Sequence, residues 1–133
     1  MMRSTSLTTG VFAIVLCAGA AFGLSSTREN RMSEPRYLRV STARWDINLY
    51  TPEAERIFKQ IETEGVAVFR AQPGFIRYRL MRTDSSTTIA VAEWESERLG
   101  KVGAEQYRAW MGKVGIMAHL TLETRAGEIV AKS

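Results

Sequence analysis

The dipeptide Pro73-Gly74 constrains this chain most, because it divides a long helical pattern from two runs of strand character. Proline cannot continue a helix, and glycine readily takes the turn that follows one. Upstream, Ile57, Ile61 and Val68, with the neighbouring Phe58 and Phe69, recur at helical spacing. Thr51-Pro52-Glu53 marks the start of that helix. Thr51 can cap free backbone N–H groups, Pro52 suits the first helical position, and Glu53 and Glu55 complement the positive end of the dipole. Gly65 costs about 1 kcal/mol inside such a helix. Downstream, Phe75 to Arg82 and Thr87 to Glu95 read as two strands. The polar Thr83-Asp84-Ser85-Ser86 between them is short enough for an antiparallel hairpin.

A first strand runs from about Tyr37 to Leu49, with Tyr37, Arg39, Ser41, Ala43, Trp45, Ile47 and Leu49 on one face. Leu38, Val40, Thr42, Arg44, Asp46 and Asn48 fall on the other. After the hairpin, Ser96 caps a second helical region. Gly100, Gly103, Gly112 and Gly115 argue against one unbroken helix, so the expectation is a short turn and then a main helix from about Ala104 to Met111. His119 to Arg125 reads as a last strand, with Ala126-Gly127 as a turn. Glu128 to Ala131 either extends that strand or crosses to a partner.

The order is therefore β-α-β-β-α-β, an α+β ferredoxin-like arrangement with a four-stranded antiparallel sheet and both helices on one face. The other face would stay exposed, which a small soluble domain seldom tolerates. Pairing two sheets back to back in a homodimer, as in a dimeric α+β barrel, covers it.

A chain of 133 residues holds one such domain, here placed at 36–133, plus its ends. The formal charge is +4, of which +2 comes from Arg3, Arg28 and Arg31 against Glu29. The body is nearly balanced and shows no concentrated basic face, so no nucleic-acid partner is expected. The single cysteine, Cys17, lies in the N-terminal apolar run, so the body has no thiol chemistry and no cysteine-based metal site.

Residues 1–31 follow the three-part order of a secretory signal peptide. Arg3 precedes an apolar run from about Val11 to Leu24, and Ala18/Ala20 and Ala21/Gly23 fit a small-x-small cleavage pattern. The run is short for a membrane span, which needs roughly 20 apolar residues; an N-terminal anchor is the alternative. Such a segment implies an exported or membrane-anchored protein, with membrane contact only through an uncleaved N-terminus. Met32-Ser33-Glu34-Pro35-Arg36 also reads like the start of a cytoplasmic protein, in which case the upstream segment is not translated.

Three phrases carry a resemblance: Gln72-Pro73-Gly74-Phe75, Tyr78-Arg79-Leu80-Met81-Arg82 and Glu93-Trp94-Glu95-Ser96. In this order and spacing the chain resembles the antibiotic-biosynthesis monooxygenase family of dimeric α+β barrels, over about Leu38 to Glu123. The resemblance implies a cofactor-free oxygenase, with no flavin or metal, that converts a phenol, anthrone or hydroquinone to a quinone with O₂. It also implies a dry apolar cavity with aromatic walls and a cation or hydrogen bond for the substrate anion. A haem-degrading branch carries a ligating His on the second helix, near the position of Lys113 here. The stretch from Ala104 to Lys113 contains no His.

Candidate site residues follow. Trp94 closes the third strand where a pocket should open, as a catalytic wall or as a packed aromatic tying strand to helix. His119, the only imidazole, is the natural general base if there is one; a lone His at a strand start is also an ordinary surface residue. Trp45, Tyr107 and Trp110 suit the walls of a flat aromatic ligand's cavity, although Trp110 and Val114 are spaced for core packing. Arg77 and Arg79 share one face of the second strand and can hold a phenolate or carboxylate, or serve as solvated or interface charges. Asp46, Glu93 and Glu95 can pair with them across strands. No phosphate loop, nucleophile elbow or metal-spaced cluster is present in the sequence. Besides the oxygenase of a small aromatic molecule, two other readings fit: a non-catalytic barrel binding a small apolar ligand, and a haem-binding relative using His119.

Overall fold

The computed structural model describes residues 36–133. The signal-peptide or anchor reading of residues 1–31 lies outside the described residues. Strand β1 (Tyr37–Trp45) leads through a loop to helix α1 (Pro52–Gln60), a π-helical turn (Ile61–Gly65) and helix α2 (Val66–Arg70). Strands β2 (Phe75–Asp84) and β3 (Thr87–Trp94) follow, then helix α3 (Glu97–Lys113), a 3₁₀ turn (Ile116–His119) and strand β4 (Leu120–Glu128). The sheet order is β2-β3-β1-β4, with every neighbouring pair antiparallel. This is the ferredoxin-like α+β arrangement expected from the order of elements.

The local signals work as read. Thr51 accepts from the Ala54 N–H with Pro52 at the first helical position, and Ser96 accepts from the Leu99 N–H. Gly74 has φ of 81°, a left-handed conformation that a side chain disfavours, and so lets the chain leave α2 and enter β2 directly.

Two expectations are corrected. Helix α3 is unbroken from Glu97 to Lys113 despite Gly100 and Gly103. Both glycines sit against the indole of Trp94: a Cβ at Gly103 would lie 2.0 Å from its Cη2, and one at Gly100 would lie 3.2 Å from its Cγ. Their small size admits a fully buried tryptophan between helix and sheet, so these glycines serve packing and not interruption. Ala126-Gly127 is likewise no turn. It continues β4, paired with Arg39 and Leu38 of β1.

The core lies between the sheet and the helices, around Ala43, Trp45, Leu49, Phe69, Ala92, Trp94, Tyr107 and Met111. Alternate residues face the other way. There the register lines up Arg79, Val91, Val40 and Arg125 across the four strands, and beside them Met81, Ile89, Thr42 and Glu123. No described element of the chain covers this mixed apolar and charged face.

A candidate aromatic site between sheet and helices

Every strand contributes to one interior space. Arg39, Ser41, Ala43 and Trp45 come from β1; Tyr78 and Leu80 from β2; Thr88, Ala90, Ala92 and Trp94 from β3; and Leu120, Leu122 and Thr124 from β4. The helical side closes it with Ile61, Phe69, Ala104, Tyr107, Arg108 and Met111. The alanines explain why space remains, because small side chains at the sheet centre leave room that large ones would fill. The free volume is about 70 Å³.

Phe69 organises the walls. Its ring stacks on Tyr107 at 4.2 Å, lies 4.7 Å from Tyr78 and meets Trp94 edge-on at 5.8 Å. The Tyr78 and Tyr107 hydroxyls are 3.4 Å apart. The Trp45 indole N–H donates to Thr88 Oγ1 at 2.9 Å, and Ser41 Oγ meets Thr124 Oγ1 at 3.0 Å. The Trp94 indole N–H is different: it is buried and has no hydrogen-bond partner among the described residues. An orphaned buried donor costs stability.

Burial pushes the Tyr78 hydroxyl above the ordinary tyrosine range, and it pushes Tyr107 further, with the neighbouring Tyr78 adding to the shift. Both therefore stay protonated as hydroxyl donors or acceptors and cannot act as bases near neutrality. The unfolded chain gives up such protons near pH 10 while the folded chain keeps them. Stability should accordingly be full below about pH 10 and fall as the pH rises beyond it. Absorbance titration of tyrosinate should leave these two groups protonated until unfolding; their ionisation in a still-folded protein would refute the assignment.

Of the residues singled out in the sequence, Trp94, Trp45 and Tyr107 meet on this cavity. Trp110 does not line it. Its ring packs 5.5 Å from Tyr107 and over Gly65, where a Cβ would come within 2.9 Å of Trp110 Cζ3. Arg77 and Arg79 are placed on the opposite face of the sheet, because Tyr78 and Leu80 take the cavity side. Arg77 pairs there with Glu93 at 3.3 Å. His119 is also away from the cavity. It ends the 3₁₀ turn, with Nδ1 3.0 Å from Asp46 Oδ1, and its backbone carbonyl accepts from the Asp46 N–H. That double link braces the β1 exit against the start of β4, and it takes Asp46 away from the arginines. Among the described residues, no carboxylate or imidazole lines the cavity.

Sequence reasoning passed over Tyr78, Phe69, Arg39 and Arg108 as site residues. Tyr78 was detectable: a sheet covered on one side must turn Tyr78 and Leu80 inward, so the alternating arginines face out. Arg39 already shared the parity of Trp45. Arg108 gave no signal, since an exposed helical arginine is commonplace.

No family model matches the chain, and no curated protein does. Solved structures do. SnoaB, a cofactor-independent oxygenase from Streptomyces nogalater, superposes with a TM-score of 0.56 at 18% identity, covering 74% of this chain and 95% of that one. The monooxygenase ActVA-Orf6 of Streptomyces coelicolor, solved with nanaomycin D, gives 0.55 at 20% identity over 75% of this chain and 92% of its own. A dimeric ferredoxin-like protein from an uncultured marine organism gives 0.56 at 11% identity over 75% and 100%. Identities this low establish architecture: the chain has the ferredoxin-like α+β fold that these oxygenases also have.

Proposed function

We propose that the protein is a homodimeric, cofactor-independent monooxygenase that oxidises a small phenol- or hydroquinone-type molecule with O₂. The observation that carries this reading is an aromatic-lined cavity against which Trp94 packs with its indole N–H unpartnered among the described residues. The likeness in fold to SnoaB and ActVA-Orf6 supports it. Arg39 and Arg108 on the same wall form no ion pair among the described residues and supply positive charge for an oxyanion.

The reaction balances without a further reductant. A substrate that has lost its hydroxyl proton passes electrons to O₂, and a C–O bond forms at the activated carbon. That carbon then loses its hydrogens as its oxygen becomes a carbonyl, and the second oxygen atom leaves as water. Among the described residues no carboxylate or imidazole lines the cavity, so in this reading the substrate itself ionises, and the protein selects and holds the anion. The rate should then rise with pH with a midpoint that follows the substrate's own pKa, shifting when a more acidic hydroquinone is supplied. His119→Ala should leave that profile in place. A midpoint fixed across substrates and lost in His119→Ala would mean that the protein provides the base.

A cavity lined by no carboxylate or imidazole among the described residues also favours a second reading, a non-catalytic barrel that binds a small apolar molecule. Turnover under ¹⁸O₂ separates the two. One labelled oxygen in the product carbonyl supports the oxygenase, and a ligand recovered unchanged supports the binder.

A further inference from the structure

The free volume of the cavity, about 70 Å³, is about half of the roughly 150 Å³ in which a benzene ring sits. A single ring is therefore seated only where a wall gives way. The four strands are tied to one another along their length, and Phe69 is wedged between Phe75, Tyr78, Trp94 and Tyr107. Tyr107 is placed differently. The free space it borders is the cavity, and neither surface groove beside α1 reaches it.

What stands behind Tyr107 is the π turn. Tyr107 and Trp110 are neighbours on one face of α3, with ring centroids 5.5 Å apart. Both bear on Gly65, the last residue of the turn. A Cβ there would lie 3.0 Å from Tyr107 Cε1 and 2.9 Å from Trp110 Cζ3, contacts short enough to oblige the rings to shift. Trp110 is half-buried and can yield toward solvent, whereas Tyr107 is buried and has only the cavity to enter. Ile61, the first residue of the same turn, lines the cavity itself. One irregular turn thus sets two walls, the first directly and the second through Gly65. Turns of this kind often fall at functional positions.

We propose that Gly65 is the size determinant of the cavity: lacking a side chain, it lets Tyr107 and Trp110 lie back against the π turn, and so fixes how large a ring is admitted. Gly65 is a positioning residue that acts through Tyr107 and touches no ligand itself. The inference rests on the reading of the cavity as a binding site, but not on turnover. It requires opposite effects from the two sides of the contact. A methyl group added at Gly65 narrows the cavity, and a smaller side chain in place of Trp110 widens it.

Calorimetric titration of the full chain under argon with phenol and with 1-naphthol, at a pH where both are uncharged, tests it without oxidation. Gly65→Ala should lower the affinity for 1-naphthol relative to phenol by about tenfold, the low end of what one methylene changes in an apolar pocket. Trp110→Leu should raise that ratio, and the double variant should return it toward the native value. A role in stability alone would move the urea midpoint and leave the ratio unchanged. Should Trp110→Leu fail to fold, Gly65→Ala carries the test, because alanine has the higher helix propensity. A ratio unchanged in Gly65→Ala, a folded double variant no closer to native than Gly65→Ala, or a native chain that binds neither compound overturns the proposal. A ratio that shifts as expected beside absent oxygen uptake removes the oxidation and keeps Gly65 as the determinant.

Discussion

Trp94→Ala is expected to cost about 3–5 kcal/mol, the range for removing a large buried aromatic. A domain of this size has about 5–15 kcal/mol in total, so the variant should be marginal or unfolded at ambient temperature. The size of the effect follows from position. Trp94 is fully buried, meets Phe69 and Phe75 edge-on, and lies against Gly100 and Gly103 of α3. Gly103→Ala probes the same contact from the other side. Alanine gains about 1 kcal/mol of helix propensity over glycine, yet a Cβ there would overlap the indole, and overpacking of that kind costs about 1–3 kcal/mol. Net destabilisation is the expected sign. Urea unfolding of both variants checks it; a Gly103→Ala protein more stable than the parent would show that the indole is not held as described.

In the proposed back-to-back homodimer, Val91→Lys is expected to leave monomers. Val91 and Val40 form the centre of the uncovered sheet face, flanked in the same row by Arg79 and Arg125. A lysine there loses apolar burial and meets guanidinium groups of like charge. In a two-fold symmetric interface each substitution occurs twice. Two unpaired buried charges, at about 3–5 kcal/mol for each, imply a dissociation constant raised by at least about a thousandfold. Sedimentation velocity at micromolar concentration reads this directly. A native chain that sediments as a monomer, or a Val91→Lys chain that remains dimeric, would remove the back-to-back arrangement.

The fold was legible because its punctuation is local. Thr51-Pro52, Pro73-Gly74 and Ser96 each act within a few residues, and the structure uses all three at the boundaries they suggest. The error in α3 has a physical source. Propensity scores a glycine as a weakness of its own helix, whereas Gly100 and Gly103 exist for a side chain on a different element. Ala126-Gly127 was misread for the same reason, since pairing to β1 outweighs a turn signal of two residues. The cavity walls were legible where residue type and depth agree, as for Trp94, Trp45 and Tyr107. The placement of the arginines was not legible. Arg77 and Arg79 were read as sharing one face of their strand, but alternation alone does not say which face the helices cover. His119 was attractive only as the sole imidazole, and its contact with Asp46 depends on a 3₁₀ turn that the sequence does not signal.

Oxygen consumption by the purified full chain, freed of metal and flavin, with single-ring and fused-ring hydroquinones, tests the central claim most directly. The account predicts uptake that saturates with substrate, exceeds autoxidation, and falls by about a hundredfold in Trp94→Phe, which keeps an aromatic ring and removes one donor to the developing charge. Uptake no faster than the blank across the panel, or uptake unchanged in a folded Trp94→Phe, would contradict it.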